Sequence, residues 1–338
     1  MQQRQVVLIA GDGVGPEITR AAVSVIESTG VPISWQERPA GIASLETRGK
    51  VVPDETLDAI RQCGAALKGP FYTPSGGHQR SANWYIRREL DLYANVRPLW
   101  AQDEGIDIVL VRENIEDLYG AVEWMAAPGI AHAVKLATRA GCERIARFAF
   151  DLCMREKRRR VSVVHKANNL KLTEGMFLDV ARTIAEEYPT ITCDDVLADT
   201  AAAMLVSHPQ SFDVILTSNT FGDLLSSVGA ARVGSLGLFA SANIGKDTIV
   251  AEAVHGSAME LAGSQKANPT AMIMAGAMLL SHIQQPQEAS AIQRAVWSVL
   301  RRGIKTPDLG GTATTNEVAE EVVKEVIRQS VVERQPLP

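Results

Sequence analysis

Residues 6–29 read VVLIAGDGVGPEITRAAVSVIEST. Val6–Ala10 is an unbroken apolar run, the pattern of a strand buried on both faces of a parallel sheet. Gly11-Asp12-Gly13-Val14-Gly15 turns the chain, and Pro16-Glu17 opens an amphipathic helix with proline and an acid in its first turn. Strand, glycine loop and helix together open an α/β chain. The glycines lack the GxGxxG spacing of a dinucleotide fingerprint, and no acid is well placed at the end of a second strand about 20 residues on. The expected role of the loop is a tight strand-to-helix turn, with a dinucleotide loop as the weaker alternative.

The same alternation continues outward. Strands are expected at Ile33–Glu37, Ala65–Lys68, Ile106–Val111, Val161–His165, Asp194–Ala198 and Phe212–Thr217. Helices are expected at Asp54–Cys63, Gly141–Arg155, Thr173–Glu187, Thr270–His282 and Ser290–Arg302, with a terminal amphipathic helix; the signal between Ala121 and Leu136 is weak, at most two strands. Polar residues recur at strand C-terminal ends, where α/β proteins build their sites.

With 338 residues the chain suits one large domain or two interleaved ones. A net charge of −5, with one short basic run at Arg155–Arg160, argues against a nucleic-acid surface. No apolar run approaches the roughly 20 residues of a membrane span. Cys63, Cys142, Cys153 and Cys193 are scattered without metal spacing, which fits reduced thiols in a cytoplasmic protein.

Ser81-Ala82-Asn83-Trp84-Tyr85-Ile86-Arg87 runs from a loop into a short helix, with Arg97 at the end of the following strand. Asn83 and Arg87 are four apart and share a helix face. Arginines with a hydroxyl and an amide form a comb for a small polycarboxylate, since a guanidinium fork fits a carboxylate. A solvated helix face would look the same in this stretch alone. Asp199 and Asp223 stand at element ends, where each could be a metal ligand or a helix cap. Tyr119 and Lys166 could be an acid–base pair, or core and surface residues.

Nine motifs in order then resemble one family: GDGVGPE at 11–17, KGPFYTP at 68–74, RRELDLYANVRP at 87–98, RENIEDLY at 112–119, VVHKAN at 163–168, NTFGD at 219–223, EAVHGSA at 252–258, KANP at 266–269 and TPDLGGTATT at 306–315. They are similar to the β-decarboxylating dehydrogenases, namely isocitrate, 3-isopropylmalate and homoisocitrate dehydrogenases. The resemblance implies that family's own two-domain α/β fold, with a large domain from 1–98 plus 250–338 and a small one from 99–249. It implies a homodimer with shared active sites. Arg87, Arg97 and Arg112 would bind the malate carboxylates, Tyr119 would protonate the enolate, and Lys166, acting in the partner's site, would assist removal of the hydroxyl proton. Asp223, with Asp199 supplied by the partner, would hold Mg²⁺ or Mn²⁺. Such chemistry suits a hard cation, because losing CO₂ from a β-keto acid leaves an enolate that oxygen-bound metal stabilises.

The resemblance also places Thr73, His255, Gly256, Glu260 and Asn268 with the cofactor. Glu260 occupies the position that separates NAD from NADP users; an acid there accepts from both ribose hydroxyls and repels a 2′-phosphate, so NAD is expected. Ser81 and Asn83 fall where substrates differ, and Ser-x-Asn ahead of Arg87 looks like isocitrate dehydrogenase. Ser227 departs from the family by replacing a usual third Asp; Ile115 and Met259 also depart, and Trp84-Tyr85 are bulkier than usual. These leave open a paralogue acting on homoisocitrate, 3-isopropylmalate or a phosphonate analogue, and a non-catalytic regulatory subunit.

Overall fold

The computed structural model describes residues 3–76, 79–101 and 105–333. The chain divides into two compact units, one from the residues up to Leu90 together with those from Gly234 onward, the other Asp91–Val233. The boundaries expected from sequence, 98/99 and 249/250, fall inside strands.

The first unit holds strands β1 (Arg4–Ile9), β2 (Ile33–Glu37), β3 (Ala65–Lys68), β11 (Ala240–Ile244) and β12 (Ile249–Ala253), in the order β2-β1-β3-β12-β11. Only β11 runs antiparallel to its neighbour β12. Its helices are α1 (Gly15–Ser28), α2 (Ile42–Arg48), α3 (Asp54–Cys63), α4 (Ala82–Glu89), α9 (Thr270–His282), α10 (Pro286–Arg301) and α11 (Thr315–Glu333). Helix α1 forms as the sequence predicts: Pro16 and Glu17 start it, and Ile18, Ala21, Ala22, Val25 and Ile26 bury one stripe. Each fully buried Ile or Val contributes about 1.5–3 kcal/mol by leaving water. Helix α9 is apolar nearly all round and packs at the centre of the core, where Gly276 admits Ile26 of α1.

The glycine loop after β1 is stitched into the fold. Asp12 N–H donates to Pro70 O at 2.7 Å and Val14 N–H to Ser257 O at 2.9 Å. The Asp12 carboxylate accepts from the N–H groups of Ile42 (3.0 Å) and Tyr72 (2.9 Å). Gly13, at φ +59°, has no room for a Cβ against Ser257 O. Loop N–H groups that a pyrophosphate would need are spent on protein carbonyls, in keeping with a turn rather than a dinucleotide cradle.

The second unit orders its strands β4 (Ala94–Ala101), β5 (Ile106–Glu113), β10 (Val214–Thr217), β8 (Arg160–His165) and β9 (Thr192–Leu197), with β4 antiparallel to β5 and the rest parallel. Helices α5 (Arg139–Arg155), α6 (Thr173–Ala185), α7 (Ala198–Ser207) and α8 (Asn219–Arg232) accompany them. Strands β6 (Glu123–Ala127) and β7 (Ile130–Ala133) form a separate hairpin whose side chains, Trp124, Met125 and Ile130 among them, are exposed. Sequence missed α2, β11 and β12. It also misplaced Arg97, which lies in the middle of β4 rather than at a strand end. No helix among the described residues is long and apolar enough to cross a membrane.

Candidate active site

In the second unit, β4 and β5 pair Asn95 with Arg112 and Arg97 with Leu110, so the side chains of Asn95, Arg97 and Arg112 emerge on one sheet face. Both arginines are buried. Arg112 donates through Nη1 to Asp223 Oδ1 at 2.5 Å and through Nε and Nη2 to Asn219 Oδ1 at 3.1 and 2.7 Å. Arg97 Nε donates to Asn95 Oδ1 at 2.6 Å, and its Nη1 lies 3.3 Å from Asp223 Oδ1. Helix α8 can lie this close because residue 222 is glycine: a Cβ there would sit 2.6 Å from Arg112 Cγ.

Tyr119 completes the group. It stands on a short turn after β5, 43% exposed, and its hydroxyl donates to Asp223 Oδ2 at 3.2 Å. Its ring lies 5.5 Å from the Arg112 guanidinium. Partial burial, then the negative charge of Asp223, pushes the phenol above its usual range, with Arg112 opposing. Tyr119 therefore stays protonated at neutral pH and can act as an acid. Asp223 is in the second turn of α8, too deep to cap it, and keeps more than a third of its side chain exposed.

Lys166 follows the end of β8, and its Nζ pairs with Asp199 Oδ1 at 2.5 Å in the first turn of α7. That bond holds the Asp199 carboxyl below its usual range. Leu197, not Asp199, is the helix cap. Just before Lys166, the His165 ring accepts from Ala167 N–H through Nδ1 at 3.0 Å and faces Asp195 through Nε2 at 3.2 Å. Among the described residues no group of three His, Cys, Asp or Glu is gathered around a metal-sized space. Asp223 and Asp199 are hard oxygen donors fit for Mg²⁺ or Mn²⁺, but this chain presents them in separate groups. Ser227 adds no ligand: its hydroxyl turns back to Asp223 O at 3.2 Å.

In the first unit, Ser81 caps α4, its oxygen accepting from Trp84 N–H at 3.1 Å. The hydroxyl hydrogen remains free to donate. Asn83 and Arg87 share a face of α4, as the spacing predicts. Arg87 Nη2 donates to Glu252 Oε1 at 3.2 Å, while Arg87 Nε is buried without a partner, a donor waiting for an acceptor. Glu252 was not singled out from the sequence, yet it organises this corner. It lies opposite Lys68 in the β3–β12 pairing, bonded at 2.6 Å, and accepts from Asn243 Nδ2 at 2.7 Å. Burial would raise its carboxyl, but Lys68 and Arg87 outweigh burial and hold it ionised. An acid at the end of the apolar run IVAEA was the available signal.

His255 follows β12. Its Nδ1 donates to Gly256 O at 2.9 Å, so Nε2 is a bare acceptor, buried and without a partner. Burial keeps the ring neutral by lowering its pKa. Space opens beside Gly256, and Glu260 is exposed on a short turn. A buried acceptor, open backbone and a solvent-facing carboxylate fit an amino-purine nucleotide. Asn268 is otherwise engaged: its amide donates to Asp308 Oδ2 and its oxygen accepts from Thr270 N–H, both at 3.0 Å. Thr73 lies exposed in the loop after β3.

The family described as isocitrate/isopropylmalate dehydrogenase matches residues 5–322. A 3-isopropylmalate dehydrogenase of Archaeoglobus fulgidus is 43% identical over 94% of this chain and 98% of its own. An isocitrate/homoisocitrate dehydrogenase of Thermus thermophilus is 42% identical over 95% and 98%. The crystal structure of isocitrate dehydrogenase from Methylococcus capsulatus superposes with a TM-score of 0.93 at 46% identity, covering 96% of this chain and 99% of that one. With its arginine–aspartate–tyrosine group in place, this chain belongs to the isocitrate/isopropylmalate dehydrogenase family, as an oxidatively decarboxylating dehydrogenase.

Proposed function

We propose that the protein converts isocitrate to 2-oxoglutarate, with NAD and Mg²⁺ or Mn²⁺, as a cytoplasmic homodimer. The observation that carries the substrate assignment is helix α4: Ser81 keeps a hydroxyl hydrogen to donate, and Asn83 stands on the face of Arg87, whose Nε lacks a partner. Hydroxyl and amide are donors for a third carboxylate, which 3-isopropylmalate does not have.

Arg87, Arg97 and Arg112 bind the malate carboxylates as planar forks. The partner's Lys166 assists removal of the substrate hydroxyl proton. Tyr119 delivers a proton to the enolate carbon once CO₂ has left. Asp223 and the partner's Asp199 hold the cation. When bound, NAD accepts the hydride and the cation draws charge from substrate oxygens. Glu260 accepts from the ribose hydroxyls and selects against a 2′-phosphate. The exposed β6–β7 hairpin offers apolar surface for a second copy to cover, and the four cysteines are unpaired.

A second reading, turnover of a 3-alkylmalate, is favoured by the 43% identity to an isopropylmalate enzyme and by the bulk of Trp84 and Tyr85, whose rings meet edge to face at 5.1 Å on α4. Initial rates of NAD reduction on isocitrate and 3-isopropylmalate separate the two. Isocitrate should be preferred; preference for 3-isopropylmalate would establish the second reading. Binding of both without turnover would indicate a regulatory subunit.

A further inference from the structure

Lys135 lies in the loop after β7, in a stretch where the sequence pattern is weakest. Its side chain is only 14% exposed. Nζ bonds Asp117 Oδ1 at 2.6 Å and Glu174 Oε1 at 2.9 Å, and lies 5.2 Å from the centre of the Phe221 ring. Both carboxylates are almost fully buried.

What those two carboxylates do with their other bonds matters most. Asp117 begins the turn that carries Tyr119: it accepts from Leu118 N–H at 2.7 Å, and its second oxygen accepts from Thr220 N–H at 2.9 Å at the start of α8. Asp117 itself sits at φ 68°, a conformation that non-glycine residues adopt only when neighbours over-determine it. Glu174 accepts from the backbone N–H of Lys166 at 3.0 Å through its other oxygen. One ammonium thus joins the turn of Tyr119, the strand end of Lys166 and, through Phe221 and Thr220, the helix of Asp223.

We propose that Lys135 is a positioning residue, a largely buried cation that fixes both Tyr119, which acts in this chain's own site, and Lys166, which acts in the partner's. This rests on reading those two residues as acid and base. Lys135 itself touches no reacting atom. It fixes where the two groups stand, and misplacement by about 1 Å can cost roughly 10²-fold in rate.

The test uses the full-length enzyme, with NAD, Mn²⁺ and whichever of isocitrate, homoisocitrate and 3-isopropylmalate it turns over fastest. Lys135→Met should lower kcat about 100-fold with KM changed less than about threefold, because positioning is lost while the carboxylate-binding arginines remain. Lys135→Arg, which keeps a cation between the carboxylates, should recover at least about tenfold of that loss. Lys135→Met can fail to fold, since it strands two buried charges. The triple variant Lys135→Met, Asp117→Asn, Glu174→Gln removes that difficulty and should be folded yet slow. Tyr119→Phe and Lys166→Met serve as references. If both references are slow but Lys135→Met, or the triple variant, matches the parent kcat per folded molecule, the positioning role is wrong. If the references are as fast as the parent, the acid–base reading beneath it is wrong instead.

Discussion

The Tyr119 hydroxyl donates to Asp223 Oδ2 at 3.2 Å, while Arg112 holds the other oxygen of the same carboxylate. The phenol is thus aimed by a group that also raises its pKa. Tyr119→Phe should lower kcat by about 10²–10⁴-fold, the usual worth of a general acid, with KM for the acid within a few fold. Because the ring is 43% exposed, the thermal midpoint should stay within a few degrees of the parent. An unchanged kcat would remove Tyr119 from the chemistry.

The Lys68–Glu252–Arg87 node makes a stability prediction. Glu252→Gln leaves Lys68, only 1% exposed, without its counter-charge. The expected loss is about 3–5 kcal/mol by urea denaturation, with much of it restored by adding Lys68→Met. A loss under about 1 kcal/mol would mean that the node is not a paired ionic site.

Glu113 supplies a pH dependence. Burial pushes its carboxyl up to about 7, although the N–H groups of Ile115 and Glu116, at 2.9 Å each, pull the other way. In the unfolded chain it titrates near 4.5. The folded state therefore retains a proton that the unfolded state gives up across that window. This contribution to stability is fully present below pH 4.5 and is lost as pH rises through about 7. Its size is roughly 3 kcal/mol. Glu113→Gln does not titrate, so its stability relative to the parent should improve by roughly that amount between about pH 4.5 and 8. A flat difference would contradict the burial argument.

The sequence carried the strand–helix alternation because buried strands and capped helices leave local patterns. Asp54–Cys63 and Thr270–His282 are helices with the expected ends. The short helix expected after Ser81 is α4, and on it the four-residue spacing of Asn83 and Arg87 puts both on one face. Lys68, Glu252 and Lys135 were not, because a charge is buried only by virtue of partners remote in sequence, 184 residues apart for Lys68 and Glu252 (252 − 68). Strands β11 and β12 were missed for a related reason: their pairing partners, not their short runs, define them. The roles of Tyr119, Lys166, Asp199 and Asp223 were ambiguous one by one, and only the ordered motifs raised them above caps and surface residues.

The proposed preference for NAD rests on Glu260. Glu260→Lys exchanges repulsion of a 2′-phosphate for attraction, so kcat/KM for NAD should fall and that for NADP should rise, moving their ratio at least about tenfold. An unmoved ratio would place the ribose elsewhere.

The central claim is tested most directly by kcat/KM for NAD reduction on isocitrate, homoisocitrate, 3-isopropylmalate, malate and tartrate, each with Mg²⁺ and with Mn²⁺. The account predicts the highest value on isocitrate, at least about tenfold above 3-isopropylmalate, since Ser81 and Asn83 would lose the carboxylate they are placed to meet. A higher value on 3-isopropylmalate, or no NADH from any of the five acids, would contradict it.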